Sequence, residues 1–498
     1  MMSKKVLIAN RGEIVIRVAR TCRKLDLKPY CIYSDADKDS LYIKHCELAL
    51  NIGGSIPSES YLRNDKIINA AKKLGCDSIH PGYGFLSENP KFADLCKKEG
   101  LIFIGPSHDA LHISGDKVSA RKVASKVAPV VDGYEVSQES DAIKQAETIG
   151  YPVILKAVEG GGGRGLRIVK SSEELKKAFL SSKNEAMISF GSDRMYIEQY
   201  LENPRHIEVQ ILADNNSNVI QLGERECSIQ RRHQKLIEET PSPALTKEMR
   251  NSITESAIAI MKEIRYENAG TVEFLFKDGK FYFMEVNARI QVEHPITEMV
   301  TGVDIVEQQI HVALGNGLSI KQEDIKPRGH AIECRINAEH PISFIPFQGI
   351  VKKFIVPEGD GVRVDTALYS GYSIPVFYDS LIAKLICFGK NRSEAIEKMK
   401  HSLLSFRISG IPSTIPFHIS SLNDRRFVDG SYNTSFVNEM RPFSSKDGEI
   451  AAAILSLLPK KIEFIKTKEE EENDPWMRSR FDWIDIFDVH HVSSRWTE

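Results

Sequence analysis

The pattern of apolar and polar positions predicts strands alternating with helices over about the first 115 residues. Short apolar runs at 6–9 and 29–33 are typical of buried strands, and residues 13–25 between them carry apolar side chains at helical spacing. A further strand–helix unit ends at His80–Asn89, HPGYGFLSEN, whose glycines are equally compatible with a tight structural turn. The alternation predicts a parallel, Rossmann-like sheet. Because no G-x-G-x-x-G motif follows the first strand, we predict no dinucleotide site there.

The middle of the chain contains a glycine run placed between two predicted strands. YPVILKAV (151–158) carries Lys156 near its end, and GGGGRG (160–165) and the strand LRIVK follow. Loops without side chains let backbone N–H groups close over phosphates, and a nearby lysine neutralises them. A flexible linker has a similar composition, but the position between strands favours a mobile phosphate lid. No G-K-[ST] ends the run, so it is not a Walker loop.

A β-hairpin is predicted within TVEFLFKDGKFYFMEVNARIQVEHP (271–295). We expect a three-residue loop at Lys277-Asp278-Gly279, with Gly279 in the left-handed region, so that Lys280 faces Phe276 and Glu273 faces Phe283. This register places Glu273 and Glu285 on one face as diagonal neighbours. A two-residue turn would place them on opposite faces.

Polar side chains then alternate with apolar ones along 285–293, which predicts an extended segment with one polar face. Glu273, Glu285 and Asn287 form an all-oxygen ligand set of the kind that Mg²⁺ prefers. Arg289 could hold a small planar anion through its fork of donors. A hairpin with one solvated face is the alternative, but such faces rarely collect this particular set.

Two further regions complete the pattern. Gln230, His233 and Lys235 cluster within GERECSIQRRHQKLIEE, where Arg231 and Arg232 are compatible with a solvated face. Beyond residue 315 the chain is predicted to be β-rich and to contain GHAIECRINAE (329–339), followed by a helix at 392–406. Residues 444–498 differ in composition: a charged run precedes DPWMRSRFDWIDIF, and all three tryptophans (Trp476, Trp483 and Trp496) lie here. Such a tail could dock a partner or fold back over its own domain.

Composition limits the class of protein. With 498 residues the chain should form about three domains, and a net charge of −2 gives no electrostatic footprint for nucleic acid. The eight cysteines show no C-x-x-C pairs or metal-binding spacing, which favours a reducing compartment. No apolar run approaches the roughly 18 residues that span a membrane. The first residues run directly into a strand and leave no room for a signal peptide, so we expect a cytoplasmic protein without membrane or nucleic-acid partners.

Together these motifs resemble biotin carboxylase, the ATP-grasp component of biotin-dependent carboxylases. The resemblance runs from residue 8 to about 442 and rests on motifs that occur in family order: IANRGEI, HPGYGFLSEN, GGGGRG, ENPRHIEVQ, RRHQK, EVNARIQVEHP, ECRINAE and YDSLIAKLI. It implies an α/β protein with three domains and a tail. They are a Rossmann-like N-terminal domain (1–115), an ATP-grasp domain (116–315) with a mobile lid at about 130–203, an α+β biotin carboxylase C-terminal domain (328–443) and the tail (444–498).

The resemblance also implies three groups of site residues. ATP would be contacted by Lys117, Lys156, Gly162, Gly163, Glu198, Leu201, His206, Gln230 and His233, together with Glu273 and Glu285. Mg²⁺ or Mn²⁺ would be bound by Glu273, Glu285 and Asn287. Bicarbonate would be held by Lys235, Arg289, Gln291 and Val292, with Glu293 as the base and Arg335 facing biotin. Lys235 and Arg289 would also act in catalysis, and carboxyphosphate would be the intermediate.

Two residues depart from the family pattern: Glu159 replaces a usual glycine beside the lid, and Gln199 a usual lysine near adenine. Met399-Lys400 lies in a helical pattern without A-M-K-M context, so biotin is expected on a separate carrier chain. A carboxyltransferase and a homo-oligomeric or larger assembly are the other expected partners. We expect an acyl-CoA (acetyl- or propionyl-CoA) carboxylase, with the biotin carboxylase component of a two-subunit pyruvate carboxylase as the alternative. Another ATP-grasp ligase and a non-catalytic ATP-binding scaffold are the remaining hypotheses.

Overall fold

The computed structural model describes residues 4–158 and 166–440. The glycine run with Gly162 and Gly163, the substituted Glu159 and the tail 444–498 lie outside these described residues. The chain up to Asn438 forms one unit of dense internal packing.

The first part of the chain folds as the predicted parallel sheet. Its strands are Lys5–Ile8 (β1), Lys28–Tyr33 (β2), Leu48–Asn51 (β3), Ser78–His80 (β4) and Ile102–Phe103 (β5), in the order β3-β2-β1-β4-β5. Its helices are Glu13–Lys24 (α1), Asn64–Leu74 (α2), Pro90–Lys98 (α3) and His108–Gly115 (α4). All four strand pairs are parallel. The Rossmann-like architecture is therefore confirmed, and β1 is buried because its apolar run packs against helices on both faces.

A separate four-stranded sheet follows. The helix Lys117–Ala124 (α5) comes before it in the chain. The helices of this sheet are Glu139–Ile149 (α6) and Ser172–Phe190 (α7), and its strands are Gly133–Val136 (β6), Val153–Ala157 (β7), Leu166–Val169 (β8) and Met195–Gln199 (β9). The strands pair antiparallel in the order β6-β9-β7-β8, and α6 and α7 share a small apolar core with them. Val158 follows β7 and Leu166 begins β8, so residues 159–165, which contain the glycine run, connect these two strands.

One eight-stranded antiparallel sheet spans the rest of the chain and carries most of the polar residues of interest. Its strands are Arg205–Ala213 (β10), Val219–Arg231 (β11), Gln234–Thr240 (β12), Asn268–Lys277 (β13), Lys280–Asn287 (β14), His330–Asn337 (β15), Val362–Thr366 (β17) and Leu381–Gly389 (β18), with Lys353–Ile355 (β16) lying outside it. The order is β14-β13-β10-β11-β12-β15-β18-β17. Strands from the predicted central and C-terminal domains thus form one continuous surface.

Helices pack against this sheet. They are Lys247–Ile264 (α8), His294–Thr301 (α9), Ile305–Ala313 (α10), Arg392–Ser405 (α11), Ile415–Asn423 (α12), Arg425–Val428 (α13) and Phe436–Glu439 (α14). The apolar face of α8 packs on β10 and β13 in one shared apolar core. The short strand Arg407–Ser409 (β19) pairs with β16. In the part of the chain that the structure describes, no helix combines the length and apolar character that a membrane crossing requires.

Candidate active site

The predicted hairpin is present, but its register shift lies elsewhere than predicted. Asp278 (φ 50°) and Gly279 (φ 76°) form a two-residue turn that pairs Lys277 with Lys280, so the predicted three-residue loop is wrong. The shift occurs instead between Phe283 and Glu285, where one extra residue forms a bulge. Glu273 therefore lies directly opposite Glu285, and the predicted pairing of Glu273 with Phe283 and diagonal placement of the two glutamates are wrong. The predicted pairing of Lys280 with Phe276 is wrong as well, because Phe276 pairs with Phe281. Because directly opposed residues share a face, both carboxylates emerge on one side of the sheet, as predicted.

Lys235 lies at the centre of the acidic residues on this surface. Its Nζ donates to Glu273 at 2.8 Å, to Glu293 at 2.6 Å and to Glu208. Burial lowers the pKa of Lys235, but the three carboxylates outweigh it and raise the pKa well above its ordinary value. The ligand atoms of His206, Glu208 and Glu273 lie within 4.8 Å of one another, a spacing that a metal ion would also allow. In this structure the ammonium group of Lys235 supplies the positive charge that compensates these carboxylates.

Glu293 is held between two cations. One of its oxygens accepts from Lys235, and the other accepts from Arg335 NH2 at 2.9 Å. Arg335 on β15 donates through Nε to Glu238 on β12 at 2.6 Å. Burial raises the pKa of Glu293, but Lys235 and Arg335 outweigh it, so the pKa lies below its usual value. Glu293 is therefore ionised at neutral pH. Glu238 was missed from sequence, because the two adjacent glutamates in KLIEE do not show which one faces the site.

A fully buried arginine, also missed from sequence, organises the floor beneath these residues. Arg225 on β11 donates to Glu208, to Gln210 at 2.7 Å and to Gln291 at 2.6 Å. Gln291 in turn donates to Glu273 at 2.9 Å. Arg225 thereby fixes Glu208, which accepts from Lys235, and Gln291, which holds Glu273. The available signal was an arginine between two glutamates in ERECSIQ, since a buried arginine requires partners.

Arg289 lies just beyond β14, where the chain leaves the sheet. The extended segment predicted through residue 293 ends at Asn287, and residues 288–293 form a bent connection to α9. Arg289 donates to Glu88 and to the Asn287 amide oxygen, both at 2.9 Å. Glu88 belongs to HPGYGFLSEN and also accepts from the Ala288 backbone at 3.0 Å. That motif is thus a turn, with Gly82 and Gly84 at positive φ, and also a contact to the site.

The remaining predicted residues form a basic group on the side of the four-stranded sheet. Lys156 on β7 pairs with Glu198 on β9, and Lys117 begins α5. Burial and the charge of Lys156 lower the pKa of Lys117, and burial and the charges of Lys156, His206 and Lys117 lower that of His233. Lys117, Lys156 and His233 therefore lie near one another. A group of this kind attracts polyanions such as phosphates.

The structure places the other predicted residues around these two groups. His206 on β10 lies 2.9 Å from the second oxygen of Glu273 through its Nε2. Gln230 on β11 pairs with Lys235 across the hairpin, and Leu201 follows β9 directly. The Val292 carbonyl accepts from the buried Lys384 at 3.0 Å. His206 thus borders the acidic pocket around Lys235 directly, and Gln230 lies on the strand beside it.

Comparisons with known proteins agree with this architecture. Residues 2–111 match the biotin carboxylase N-terminal domain, residues 116–321 the ATP-binding domain of the carbamoyl-phosphate synthase L chain, and residues 333–439 the biotin carboxylase C-terminal domain. The chain is 51% identical to a pyruvate carboxylase subunit of Methanothermobacter thermautotrophicus, covering 88% of this chain and 90% of that protein. It is 50% identical to biotin carboxylase 1 of Bacillus subtilis, covering 88% and 98%.

Solved structures give the same result. A biotin carboxylase–βγ-ATP complex from Campylobacter jejuni matches with a TM-score of 0.86 and 48% identity, over 88% of this chain and 99% of that one. The biotin carboxylase domain of Hydrogenobacter thermophilus 2-oxoglutarate carboxylase, solved with MgADP, ADP and bicarbonate, matches with a TM-score of 0.85 and 45% identity, over 88% and 98%. The chain therefore belongs to the biotin carboxylase family and is an ATP-dependent carboxylase ligase.

Proposed function

We propose that this chain carboxylates biotin borne by a separate carrier chain, using ATP and bicarbonate by way of carboxyphosphate. The observation that supports this most strongly is the position of Glu293. An ionised carboxylate is held by Lys235 and Arg335 within the pocket that also contains the paired glutamates of the hairpin. A base, two cations and an acidic pair in one pocket meet the needs of phosphoryl transfer to a weak oxygen nucleophile.

The acidic pair fits a divalent cation. Glu285 lies opposite Glu273, and burial together with the Glu273 charge raises the pKa of Glu285, because two neighbouring carboxylates repel each other's charge. Asn287 adds an amide oxygen two residues further along β14. We assign Mg²⁺ or Mn²⁺ to Glu273, Glu285 and Asn287. When bound, the ion would offset negative charge on the ATP phosphates.

Bicarbonate would lie between Arg289 and Lys235. Arg289 is held by Glu88 and Asn287, and Lys235 by three carboxylates, so both cations must exchange a partner for the substrate. Gln291 and the Val292 backbone border the same space. Glu293, ionised at neutral pH, would take the bicarbonate proton and so strengthen a poor nucleophile.

ATP would occupy the basic group. Lys117, Lys156 and His233 would face the phosphates, and the loop with Gly162 and Gly163 would close over them. Glu198, which pairs with Lys156, would complete the ATP site together with Leu201, His206 and Gln230. Closure would keep water away from a hydrolysable intermediate. Arg335 would then stabilise negative charge on the ureido oxygen of biotin.

Release of ADP tests this function. With Mg-ATP and bicarbonate, free biotin should accelerate ADP release by the full-length chain. Another ATP-grasp ligase would respond to a different acceptor, and a scaffold would show no turnover. Absence of any stimulation by biotin would contradict the proposal.

Replacing one carboxylate of the acidic pair should weaken metal binding. Glu285→Gln removes a charged ligand, so the Mg²⁺ concentration that gives half-maximal ADP release should rise at least roughly 10-fold. Asp278→Asn is the matched control, because it removes a carboxylate from the exposed turn of the same hairpin. An unchanged Mg²⁺ dependence in Glu285→Gln would refute the ligand assignment.

The acceptor of the carboxyl group is chosen by a carboxyltransferase on another chain. We favour an acyl-CoA, acetyl- or propionyl-CoA, as the sequence suggested. A 2-oxo acid is the second candidate, because relatives of nearly equal similarity carry the names pyruvate carboxylase and 2-oxoglutarate carboxylase. Reconstitution with the carrier and carboxyltransferase that copurify with this chain, supplied in turn with acetyl-CoA, propionyl-CoA, pyruvate and 2-oxoglutarate, distinguishes the two classes.

The tail is proposed as the segment that docks these partners. Deleting residues 444–498 should impair assembly with the carrier and carboxyltransferase, measured by sizing chromatography, and leave carboxylation of free biotin unchanged. Replacing Trp476, Trp483 and Trp496 by alanine separates an effect of the aromatic side chains from one of length. Assembly that is unaffected by the deletion would exclude a docking role.

A further inference from the structure

A second pair of opposed glutamates lies beneath Arg335. Glu238 on β12 pairs directly with Glu333 on β15, so the two carboxyl groups share a face of the sheet. Neither residue is measurably exposed. Both oxygens of Glu333 and Oε2 of Glu238 are buried without a hydrogen-bond partner among the described residues. Buried carboxyl oxygens almost always have a partner, so three such atoms together require a cause.

The charges around this pair do not compensate a second anion. Arg335 lies two residues along β15 from Glu333 and already donates hydrogen bonds to Glu238 and Glu293. Lys384 on β18 donates to the Val292 carbonyl and pairs with Glu13 at 3.0 Å, with Asp365 at 3.8 Å. No cation among the described residues within bonding distance thus remains for Glu333.

The groups that face Glu333 are consequently of mixed charge. They are Glu238 from β12, Arg335 on its own strand, Lys384 from β18 and Glu293 from the segment before α9, together with the Tyr83 hydroxyl. A buried, unpaired carboxylate beside another carboxylate is far less stable than a neutral acid. A neutral acid has one O–H donor, and the unpartnered Oε2 of Glu238 is an acceptor on the opposed residue.

We propose that Glu333 is a protonated carboxylic acid that donates a hydrogen bond to Glu238, and that this acid–carboxylate pair positions Arg335 for biotin. Glu333 acts through Glu238 and is a positioning residue. The shared proton gives partners to two of the three orphaned oxygens, Oε2 of Glu238 and the protonated oxygen of Glu333, and it leaves Glu238 a weaker counter-ion. Arg335 is then less fully neutralised by Glu238 and attracts negative charge on the substrate oxygen more strongly. The link to biotin rests on the proposed function, whereas the protonation of Glu333 does not.

The directions of titration agree with this assignment. Burial raises the pKa of Glu333 well above its ordinary value, and burial together with the charge of Glu293 raises that of Glu238 to about 7 despite Arg335. Glu333 therefore holds its proton through neutral pH, while Glu238 is the member that titrates. As pH falls below about 7, the pair gains a second proton and the Glu238–Arg335 contact weakens. The biotin-dependent rate should decline there before ATP cleavage without biotin does.

Infrared spectroscopy and kinetics of three variants of the full chain test the proposal. Glu333→Gln keeps a neutral donor, so the biotin-dependent kcat/KM should stay within about threefold of the wild type, whereas Glu333→Ala should lower it roughly 10-fold. ATP cleavage with bicarbonate alone should be similar in both variants. Glu226→Gln is the matched control: Glu226 is a buried glutamate paired with Glu239, on the opposite face of the sheet. It should change neither rate.

The infrared difference between the wild type and Glu333→Gln should show loss of one protonated-carboxyl band at neutral pH. This band tests the neutral acid even if Glu333→Ala does not fold. No lost band, or equal damage to the biotin step by glutamine and alanine, would overturn the proposal, as would an alanine variant with normal kcat/KM. A wild type that shows the band but no response to biotin would instead contradict the proposed function and leave the neutral acid standing.

Discussion

Replacing Glu293 with glutamine is expected to lower bicarbonate-dependent ATP cleavage roughly 100-fold or more, because a general base contributes about 10²–10⁴-fold to a rate. Glutamine retains the size of the side chain and one oxygen acceptor, but it cannot take a proton. Lys235 keeps two carboxylate partners, Glu208 and Glu273, so the pocket should still fold. The basic group that would receive ATP does not include Glu293. Binding of ATP, measured by calorimetry, should therefore survive while ADP release is lost.

The control for this variant is Glu224→Gln, which alters a buried glutamate of the same sheet. Glu224 holds Arg250 at 2.7 Å and the Ser242 backbone at 3.0 Å, and it contacts none of the proposed site residues. It should retain ADP release. Loss of ATP binding in Glu293→Gln would contradict the role of Glu293 as the base, as would near-normal cleavage of ATP.

Replacing Lys235 with methionine should produce the largest loss of stability. Three buried carboxylates would lose their common cation, and removing one partner of a buried ion pair costs about 3–5 kcal/mol. The thermal transition should fall accordingly, as measured by calorimetry at about pH 8, where all carboxylates in the unfolded chain are ionised. Bicarbonate-dependent activity should be lost as well.

The pH dependence of Lys235→Met follows from the same charges. In the wild type, Lys235 outweighs burial and holds the pKa of Glu273 and Glu293 below the usual value. Without Lys235, burial would raise the folded-state pKa of these groups. A carboxyl group whose pKa is raised in the folded state stabilises the fold at pH values below its unfolded pKa, and this stability is lost as pH rises. The stability deficit of Lys235→Met should therefore shrink as pH falls towards about 5. Lys24→Met, at an exposed ion pair with Glu307, should change little at either pH. A deficit independent of pH would argue against uncompensated carboxylates.

The sequence was sufficient to predict the layered α/β architecture, because strands and helices alternate with clear periodicity over the first sheet. It also predicted that Glu273 and Glu285 share a face. The predicted position of the register shift is wrong, because the register shifts at Met284 and not at the turn. Asp-Gly favours a two-residue turn, whereas a bulge within a strand leaves no local sequence pattern. The correct face was reached because a single extra residue anywhere between the glutamates has the same effect on parity.

The residues that sequence reasoning missed are those whose role depends on long-range pairing. Glu238 reaches Arg335 only because β12 and β15 are neighbours, although nearly a hundred residues separate them. Glu88 meets Arg289 through the approach of the first sheet to the hairpin. Arg225 lies within one strand, yet its partners come from four separate segments. Such contacts follow from strand order, which periodicity does not determine.

The transfer of an oxygen atom tests the central claim most directly. If Glu293 activates bicarbonate for attack on the terminal phosphate of ATP, then ¹⁸O-labelled bicarbonate must deliver one of its oxygens to the phosphate released. Mass spectrometry of phosphate formed in the presence of biotin should show a single ¹⁸O per molecule. Phosphate that instead carries only solvent oxygen would mean that water attacks ATP, and would contradict the account.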